Sequence, residues 1–127
     1  MTKADVLAAQ WRAMLEQHTR VTTALERALA EHELGVSEFE VLAELTTAPK
    51  NECRMLALSD VVHLSQSALS RVVGRLEEQG LVTRFMCQND RRGIFAALTD
   101  EGRERYNAAL PTYGQVLAET LGKPTDR

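Results

Sequence analysis

The 127-residue chain has few of the residues that mark a disulfide scaffold, a metal site or an aromatic-rich core. It contains two cysteines, three histidines and one tryptophan, and aromatic residues make up 5% of the sequence. Two cysteines are too few for a disulfide framework, and Cys53 and Cys87 have none of the paired spacings typical of zinc sites. The sequence therefore predicts neither a bound metal nor another cofactor.

Long apolar runs are also missing from the sequence. None approaches the roughly 20 residues that cross a bilayer, so we expect no membrane contact. The N-terminus lacks the basic segment followed by an apolar segment that marks a secretory signal, which predicts a cytoplasmic protein. The length, with 44% hydrophobic and 26% charged residues, is typical of one globular domain.

The net charge of −3 gives no direct indication of a nucleic-acid partner, but the charges are unevenly distributed. Residues 1–64 carry 6 basic and 10 acidic side chains, whereas residues 65–127 carry 9 basic and 8 acidic ones. The second half contains a basic stretch, formed by Arg71, Arg75, Arg84, Arg91 and Arg92. Because a local patch sets affinity for phosphates, this stretch is a candidate for nucleic-acid contact.

Residues 4–33 contain neither glycine nor proline and predict one long helix. One face of this helix repeats at alternating spacings of three and four, through Ala4, Leu7, Trp11, Met14, His18, Val21, Leu25, Ala28 and His32. This spacing is typical of a heptad seam. Thirty helical residues span about 45 Å, longer than a domain of this size covers with its own core. We therefore expect a second subunit to cover Leu7, Trp11 and Met14.

The next segment predicts two shorter helices. Gly35 ends the long helix, and Ser37 with Glu40 matches a capping box that begins the second one. Thr46–Glu52 is interpreted as a polar turn, and Met55–Val62 as a third, short helix.

The segment from Gln66 to Gln79 predicts an amphipathic helix that Ser65 caps and Gly80 ends. Its apolar face consists of Leu69, Val72, Val73 and Leu76. The opposite face carries Gln66, Ser67, Ser70, Arg71 and Gly74. Such a face suits either solvent or a polar partner.

After Gly80 the apolar period changes from about 3.6 to 2. Leu81–Cys87 and Ile94–Leu98 predict the two strands of a hairpin. Its tip carries Arg91 and Arg92, and we expect Asp90 to brace one of them by a salt bridge. Two cations on a narrow loop are typical of a loop that enters the minor groove of DNA.

A final helical region follows, capped by Thr99. Pro111 is expected to kink or break it, because proline lacks the backbone donor and clashes with the preceding turn. Tyr113, Leu117 and Leu121 lie on its apolar side, and we expect them in a dimer interface.

The order of these elements predicts a mainly α fold with a small two- or three-stranded β wing, a winged helix-turn-helix between long N- and C-terminal dimerisation helices. Residues 1–34 and 100–127 form the dimerisation helices, and residues 35–99 the DNA-binding region. The major groove of DNA, about 12 Å wide, admits one helix whose N-terminal side chains meet base edges. The predicted DNA-binding residues are Ser65, Gln66, Ser67, Ser70, Arg71, Arg75, Arg84, Asp90, Arg91 and Arg92.

The segment from Leu58 to Arg103 resembles the signature of the MarR family of regulators. It contains, in order, Leu-Glu-x-x-Gly-Leu-Val-x-Arg, an Asp-Arg-Arg wing and Leu-Thr-x-x-Gly. The resemblance implies a triangular homodimer in which each wing domain reads half of a pseudo-palindromic DNA site, and we expect this dimer to be a repressor. It also implies that Ser67, Ser70 and Arg71 meet the major groove and that Arg92 enters the minor groove.

Three questions stay open at this stage. The family's effector pockets make His18 a candidate for binding a small aromatic or phenolic effector, although an isolated histidine in an apolar seam favours a packed interface residue. The family usually continues through a second C-terminal helix, so either the predicted helices suffice for dimerisation or the assembly differs. The alternative function is a winged-helix protein–protein module that does not bind DNA by itself.

Overall fold

The computed structural model describes residues 1–86 and 93–122. Within them the helices are α1 (Lys3–Leu29), α2 (Val36–Thr47), α3 (Met55–Val62), α4 (Gln66–Glu78) and α5 (Asp100–Thr120). Short 3-10 turns span Ala30–His32 and Pro49–Asn51. The strands are β1 (Glu52–Arg54), β2 (Val82–Met86) and β3 (Ile94–Leu98). This is the predicted fold class, and none of the helices in these ranges is long and apolar enough to cross a membrane.

The long first helix is confirmed, with a defined start and an earlier end. Thr2 caps it, because the Thr2 hydroxyl accepts from the amide of Asp5 while the Asp5 carboxylate accepts from the amide of Thr2, both at 3.1 Å. After the 3-10 turn, Glu33 takes a left-handed conformation with φ 58°. The helix therefore ends before Gly35, which was predicted to break it.

The predicted capping box of Ser37 and Glu40 is wrong. Helix α2 begins at Val36, with Gly35 in the extended conformation as its N-cap. The Gly35 amide donates to Oε1 of Glu38 at 2.8 Å, so Glu38 satisfies the first free amide of the helix. The negative charge of a glutamate at the start of a helix also interacts favourably with the helix dipole, which stabilises α2 further.

The polar turn predicted at Thr46–Glu52 contains the end of α2, a 3-10 turn and the first residue of β1. Cys53 lies in this strand and pairs with Ala96. Three residues are too few to show an alternating pattern, and the strand forms because β3 offers its free edge.

The hairpin prediction is confirmed for its strands. The sheet is antiparallel with the order β1-β3-β2, and Arg84, Phe85 and Met86 lie opposite Ala96, Phe95 and Ile94. Burial of Ala96 at the centre of the sheet and of Val82 at its base fixes this register.

Of the two outcomes expected at Pro111, the break is wrong, because α5 continues from Asp100 to Thr120, and the kink stays a prediction. Pro111 and Asn107, whose carbonyl loses its partner, are both exposed, so water can satisfy the free carbonyl. The predicted cap is confirmed, because the Thr99 hydroxyl accepts from the amide of Gly102 at 3.0 Å.

Gly102 lies where α5 crosses the start of the wing. A Cβ atom at this position would overlap the carbonyl oxygen of Leu81. The glycine of the Leu-Thr-x-x-Gly motif is therefore required by the close approach of two backbones.

The core lies between α2, α3, α4 and the sheet, and α5 extends it along the second half of α1. Its largest fully buried side chains are Phe39, Leu29, Leu42, Leu45, Leu58, Leu69, Leu76, Leu81, Val41, Val73 and Val82. The first half of α1 contributes nothing to this core and remains exposed.

Candidate nucleic-acid interface

A tight turn joins α3 and α4 and determines which face of α4 is exposed. His63 ends α3 in a left-handed conformation with φ 60°. Ser65 then caps α4, its hydroxyl accepting from the amide of Ala68 at 3.1 Å. The predicted apolar face of α4 is buried throughout, at Leu69, Val72, Val73 and Leu76. The opposite face of α4 therefore points away from the core.

The exposed face of α4 carries the polar residues that the sequence singled out. Exposed side chains on it and at its cap are Ser65, Gln66, Ser67, Ser70, Arg71 and Arg75. Thirteen residues give a helix of about 20 Å, and one such helix fits the major groove. We name this set, with the wing arginine Arg84, the α4 surface.

Arg71 is the cation of the α4 surface that is most available to a ligand. It is exposed, and among the residues described no hydrogen-bond or ion-pair partner binds it. The part of the chain that the structure describes thus leaves its five N–H donors to a guanine edge or a phosphate.

Arg75, by contrast, is bound within the subunit. Its Nε lies 2.7 Å from Oε2 of Glu38, whose side chain is 9% exposed. Glu38 thus joins α2 to α4, and its side chain is a functional partner that the sequence reasoning missed. The local pattern of residues in α2 gives no indication of an ion-pair partner that lies 37 residues further along the chain.

Arg84 is also engaged, on the strand that follows the turn. Its Nε donates to Oε1 of Glu77 at 3.1 Å, and its amide donates to Oε2 of the same carboxylate at 3.3 Å. Nη1 donates to the Ser70 hydroxyl at 3.2 Å. Arg84 therefore attaches the wing to α4, beside the residues predicted to meet the groove.

Gln66, the first residue of α4, is anchored to α3. Its Nε2 donates to Oγ of Ser59 at 2.6 Å, and Ser59 is a buried residue. The sequence reasoning missed Ser59 because it lies among the apolar residues of a short helix.

The predicted wing tip lies outside the described residues, so Asp90, Arg91 and Arg92 keep only their sequence-based roles. The strands that lead to the tip are described, and their last pair is Met86 with Ile94. Minor-groove contact by Arg92 thus stays a prediction.

The six residues predicted for the dimer interface fall into two groups. Leu7, Trp11 and Met14 on α1 are 55%, 58% and 56% exposed, and Leu121 is 50% exposed. Tyr113 and Leu117 pack against the core of the same subunit. Three of the four exposed members thus lie on one helix, α1, whereas Tyr113 and Leu117 are covered within the subunit.

Tyr113 joins the terminal helix to α2. Its ring stacks on Phe39 with 4.2 Å between centroids, and its hydroxyl donates to Oε2 of Glu40 at 2.6 Å. Burial and the neighbouring Glu40 carboxylate raise the pKa of Tyr113 well above its usual value. Glu40, predicted to close a capping box, instead binds this hydroxyl.

The structure adds no support for an effector site at His18. His18 is exposed on α1, and it is not among the residues that line the groove along that helix.

A larger open cleft, of about 500 Å³, is lined by residues that follow the ends of α1 and α4 and by residues of α5. Its lining residues are Glu31, His32, Glu33, Gln79, Leu81, Glu101, Glu104, Arg105 and Ala108. The four glutamates of this lining carry negative charges, which disfavour binding of an aromatic acid. Binding of an aromatic or phenolic effector therefore stays a prediction.

Arg105 has a structural role in this cleft. Its Nη1 donates to the carbonyl of His32 at 3.0 Å and to Oε1 of Gln79 at 2.9 Å, which joins α5 to the ends of α1 and α4.

In the described ranges, no group of three or more histidine, cysteine or acidic residues is arranged to hold a metal ion. Burial and the nearby Glu44 carboxylate raise the pKa of Cys53, so its thiol is a weak nucleophile.

Comparisons with known proteins agree with this geometry. The family model "MarR family" matches residues 34–94. Transcriptional regulator HosA of Escherichia coli O127:H6 is 30% identical over 115 residues, covering 90% of this chain and 79% of that protein. The HosA of Escherichia coli O157:H7 is 29% identical over 124 residues, covering 97% and 86%.

Two solved structures from Streptomyces coelicolor are also similar. AbsC, a MarR family transcriptional regulator, is 32% identical with a TM-score of 0.84, and the match covers 94% of this chain and 80% of AbsC. Sco3205, a MarR family regulator solved in complex with DNA, is 30% identical with a TM-score of 0.87, covering 99% and 79%. The chain belongs to the MarR family of transcriptional regulators, which are non-enzymatic DNA-binding proteins.

Proposed function

We propose that the chain is a repressor that binds a pseudo-palindromic DNA site as a homodimer, with α4 in the major groove and Arg92 in the minor groove. The observation that carries the proposal is the α4 surface. The apolar face of helix α4 is buried and its polar face is exposed. No described residue forms a hydrogen bond or ion pair with Arg71 on that polar face. Sco3205, at 30% identity, was solved in complex with DNA, which supports the same use of this fold.

The division of labour follows from how each cation is held. No described residue binds the guanidinium fork of Arg71, and this fork matches the O6 and N7 acceptors of guanine. Arg75 and Arg84 are bound to Glu38 and Glu77, so they have fewer donors left for DNA. We therefore propose Arg71 as the main base-reading cation, Arg75 as a contact to the DNA backbone, and Arg84 as a support that orients the wing.

The homodimer is proposed from the seam of α1. Three large side chains, Leu7, Trp11 and Met14, are more than half exposed on one helix. Large apolar patches on soluble proteins mark interaction sites. A second copy places two α4 helices on one DNA face, with half-sites about 10 base pairs apart. A dimer over that length of promoter obstructs other proteins, which favours repression.

The test is a titration of the full chain against a site selected from a random duplex library. Arg71→Ala should reduce preference for guanine at one position of each half-site, by about 1–3 kcal/mol. Arg27→Ala is the matched control, because Arg27 is an exposed arginine of α1, away from the α4 surface. An enriched palindrome read equally by both variants would contradict the docking of α4. Selection that enriches no sequence would favour the protein–protein module.

A further inference from the structure

A chain of hydrogen bonds leads from the interior of α3 to the first residue of α4. Oγ of Ser59 lies 2.9 Å from the carbonyl oxygen of Leu56, within the same helix. Nε2 of Gln66 lies 2.6 Å from the same Oγ. Ser59 is buried, whereas Gln66 is exposed on the α4 surface.

The chemistry of the serine determines which end of the Gln66 amide faces inward. A hydroxyl has one hydrogen, and the carbonyl of Leu56 is only an acceptor, so Ser59 donates that hydrogen to Leu56. Towards Gln66 the hydroxyl is then an acceptor, and its partner must be a donor. The amide nitrogen, not the amide oxygen, is therefore the atom held at Ser59.

This orientation leaves a defined pair of groups for a ligand. With one N–H bound to Ser59, Gln66 presents Oε1 as an acceptor and its second N–H as a donor. An acceptor beside a donor is the pattern that pairs with N6 and N7 of adenine. The anchor also restricts the side chain before DNA arrives, so less rotamer freedom is lost on binding.

We infer that Ser59 is a positioning residue that gives Gln66 a preference for adenine, although Ser59 itself is buried and does not reach DNA. The inference rests on the proposed docking of α4 in the major groove. A hydrogen bond between Gln66 and Ser59 with a purely structural role would stabilise the turn between α3 and α4 and leave base preference unchanged.

The test measures base preference in the selected site for Gln66→Ala, Ser59→Ala and the double variant. Gln66→Ala should reduce the preference for adenine at one position of each half-site. Ser59→Ala should reduce it at the same position, by roughly three- to tenfold, since a full bidentate contact contributes more. It should leave affinity for unrelated duplex unchanged. In the Gln66→Ala background, Ser59→Ala should have no further effect.

Thr46→Ala is the matched control. The Thr46 hydroxyl donates to the carbonyl of Ala43 at 2.7 Å, which is the same kind of bond within a helix, and among the described residues this hydroxyl forms no hydrogen bond to α4. This variant should keep the preference for adenine. If Ser59→Ala lowered affinity equally for all sequences, or acted equally in both backgrounds, the inference would be overturned. If Gln66→Ala changed no preference, the placement of Gln66 in the groove would fail instead.

A second measurement needs no variant and therefore does not depend on how Ser59→Ala folds. NMR relaxation of the side-chain amides should give Gln66 a higher order parameter than the exposed Gln10 of α1 in the DNA-free protein. Equal mobility of the two amides would contradict the anchored orientation.

Discussion

Arg75 and Glu38 form a 2.7 Å ion pair between the helix proposed to read DNA and the start of α2. The same carboxylate accepts from the amide of Gly35 at 2.8 Å, so Glu38 caps α2 with one oxygen and holds Arg75 with the other. Because Glu38 is buried and Arg75 is half exposed, the two residues are not equivalent in this pair.

The first prediction concerns the stability that this pair provides. Glu38→Ala should lower the free energy of unfolding by about 1.5–3 kcal/mol, since it removes a cap and a charged hydrogen bond. Arg75→Ala should cost about 1 kcal/mol or less, because an exposed arginine is screened by water. Urea denaturation measures both, with Arg71→Ala as the control, since no residue in the described ranges forms an ion pair with Arg71. Equal losses for Glu38→Ala and Arg75→Ala would show that the cap contributes nothing.

The second prediction concerns Arg84 in the wing. Its guanidinium binds Glu77 and Ser70, so we expect it to orient the wing and to form no phosphate contact. Arg84→Ala should therefore weaken DNA binding while leaving the slope of log affinity against log salt nearly unchanged. A lost phosphate contact would reduce that slope by about 0.9.

Glu77→Gln provides the matched test of the same contact. It keeps a polar side chain but removes the charge that holds Arg84. If Arg84 only orients the wing, Glu77→Gln should weaken DNA binding, as Arg84→Ala does. If Arg84 instead contacts a phosphate, Glu77→Gln should strengthen that contact, because the competing carboxylate charge is gone. Tighter binding by Glu77→Gln would thus contradict the brace.

The third prediction concerns pH and the contact between Tyr113 and Glu40. Burial and the Glu40 carboxylate raise the pKa of Tyr113 in the folded chain, so folding favours the neutral phenol. Its stabilisation is full below the pKa of the unfolded chain, about 10, and is lost as the pH rises towards the folded value. The stability advantage of the natural chain over Tyr113→Phe should therefore be constant between pH 7 and 9 and fall at pH 11. Urea denaturation at these values checks this, and a constant difference up to pH 11 would exclude the linkage.

The fourth prediction concerns assembly through α1. Trp11→Glu should produce a monomer in sedimentation at micromolar concentration, because a second copy would have to bury the new charge. Its affinity for the palindrome should fall to that of a single half-site. Val61→Glu is the control for assembly, since Val61 is a 50% exposed apolar residue of α3 and should leave the oligomeric state unchanged. A natural chain that sediments as a monomer would overturn the proposed homodimer.

Local patterns in the sequence were sufficient to predict most of the helices and the hairpin. The apolar period of α4, its Ser65 cap and its Gly80 end all depend on residues a few positions apart, and the structure confirms them. The strands of the wing follow in the same way, because alternation and turn residues are also local signals. The same patterns identified the polar face of α4 and the apolar seam of α1.

Tertiary structure alone decided how the polar residues are used. Strand β1 exists because β3 has a free edge, and α5 continues through Pro111 at a position where Pro111 and Asn107 are both exposed. Glu38 meets Arg75 across 37 residues, and Ser59 meets Gln66 across a turn. Such contacts depend on how helices pack, and a period of 3.6 residues contains no information about them. The sequence by itself determined which face of α4 is polar, and the packing of α2, α3 and the wing against α4 determined which of its side chains remain free.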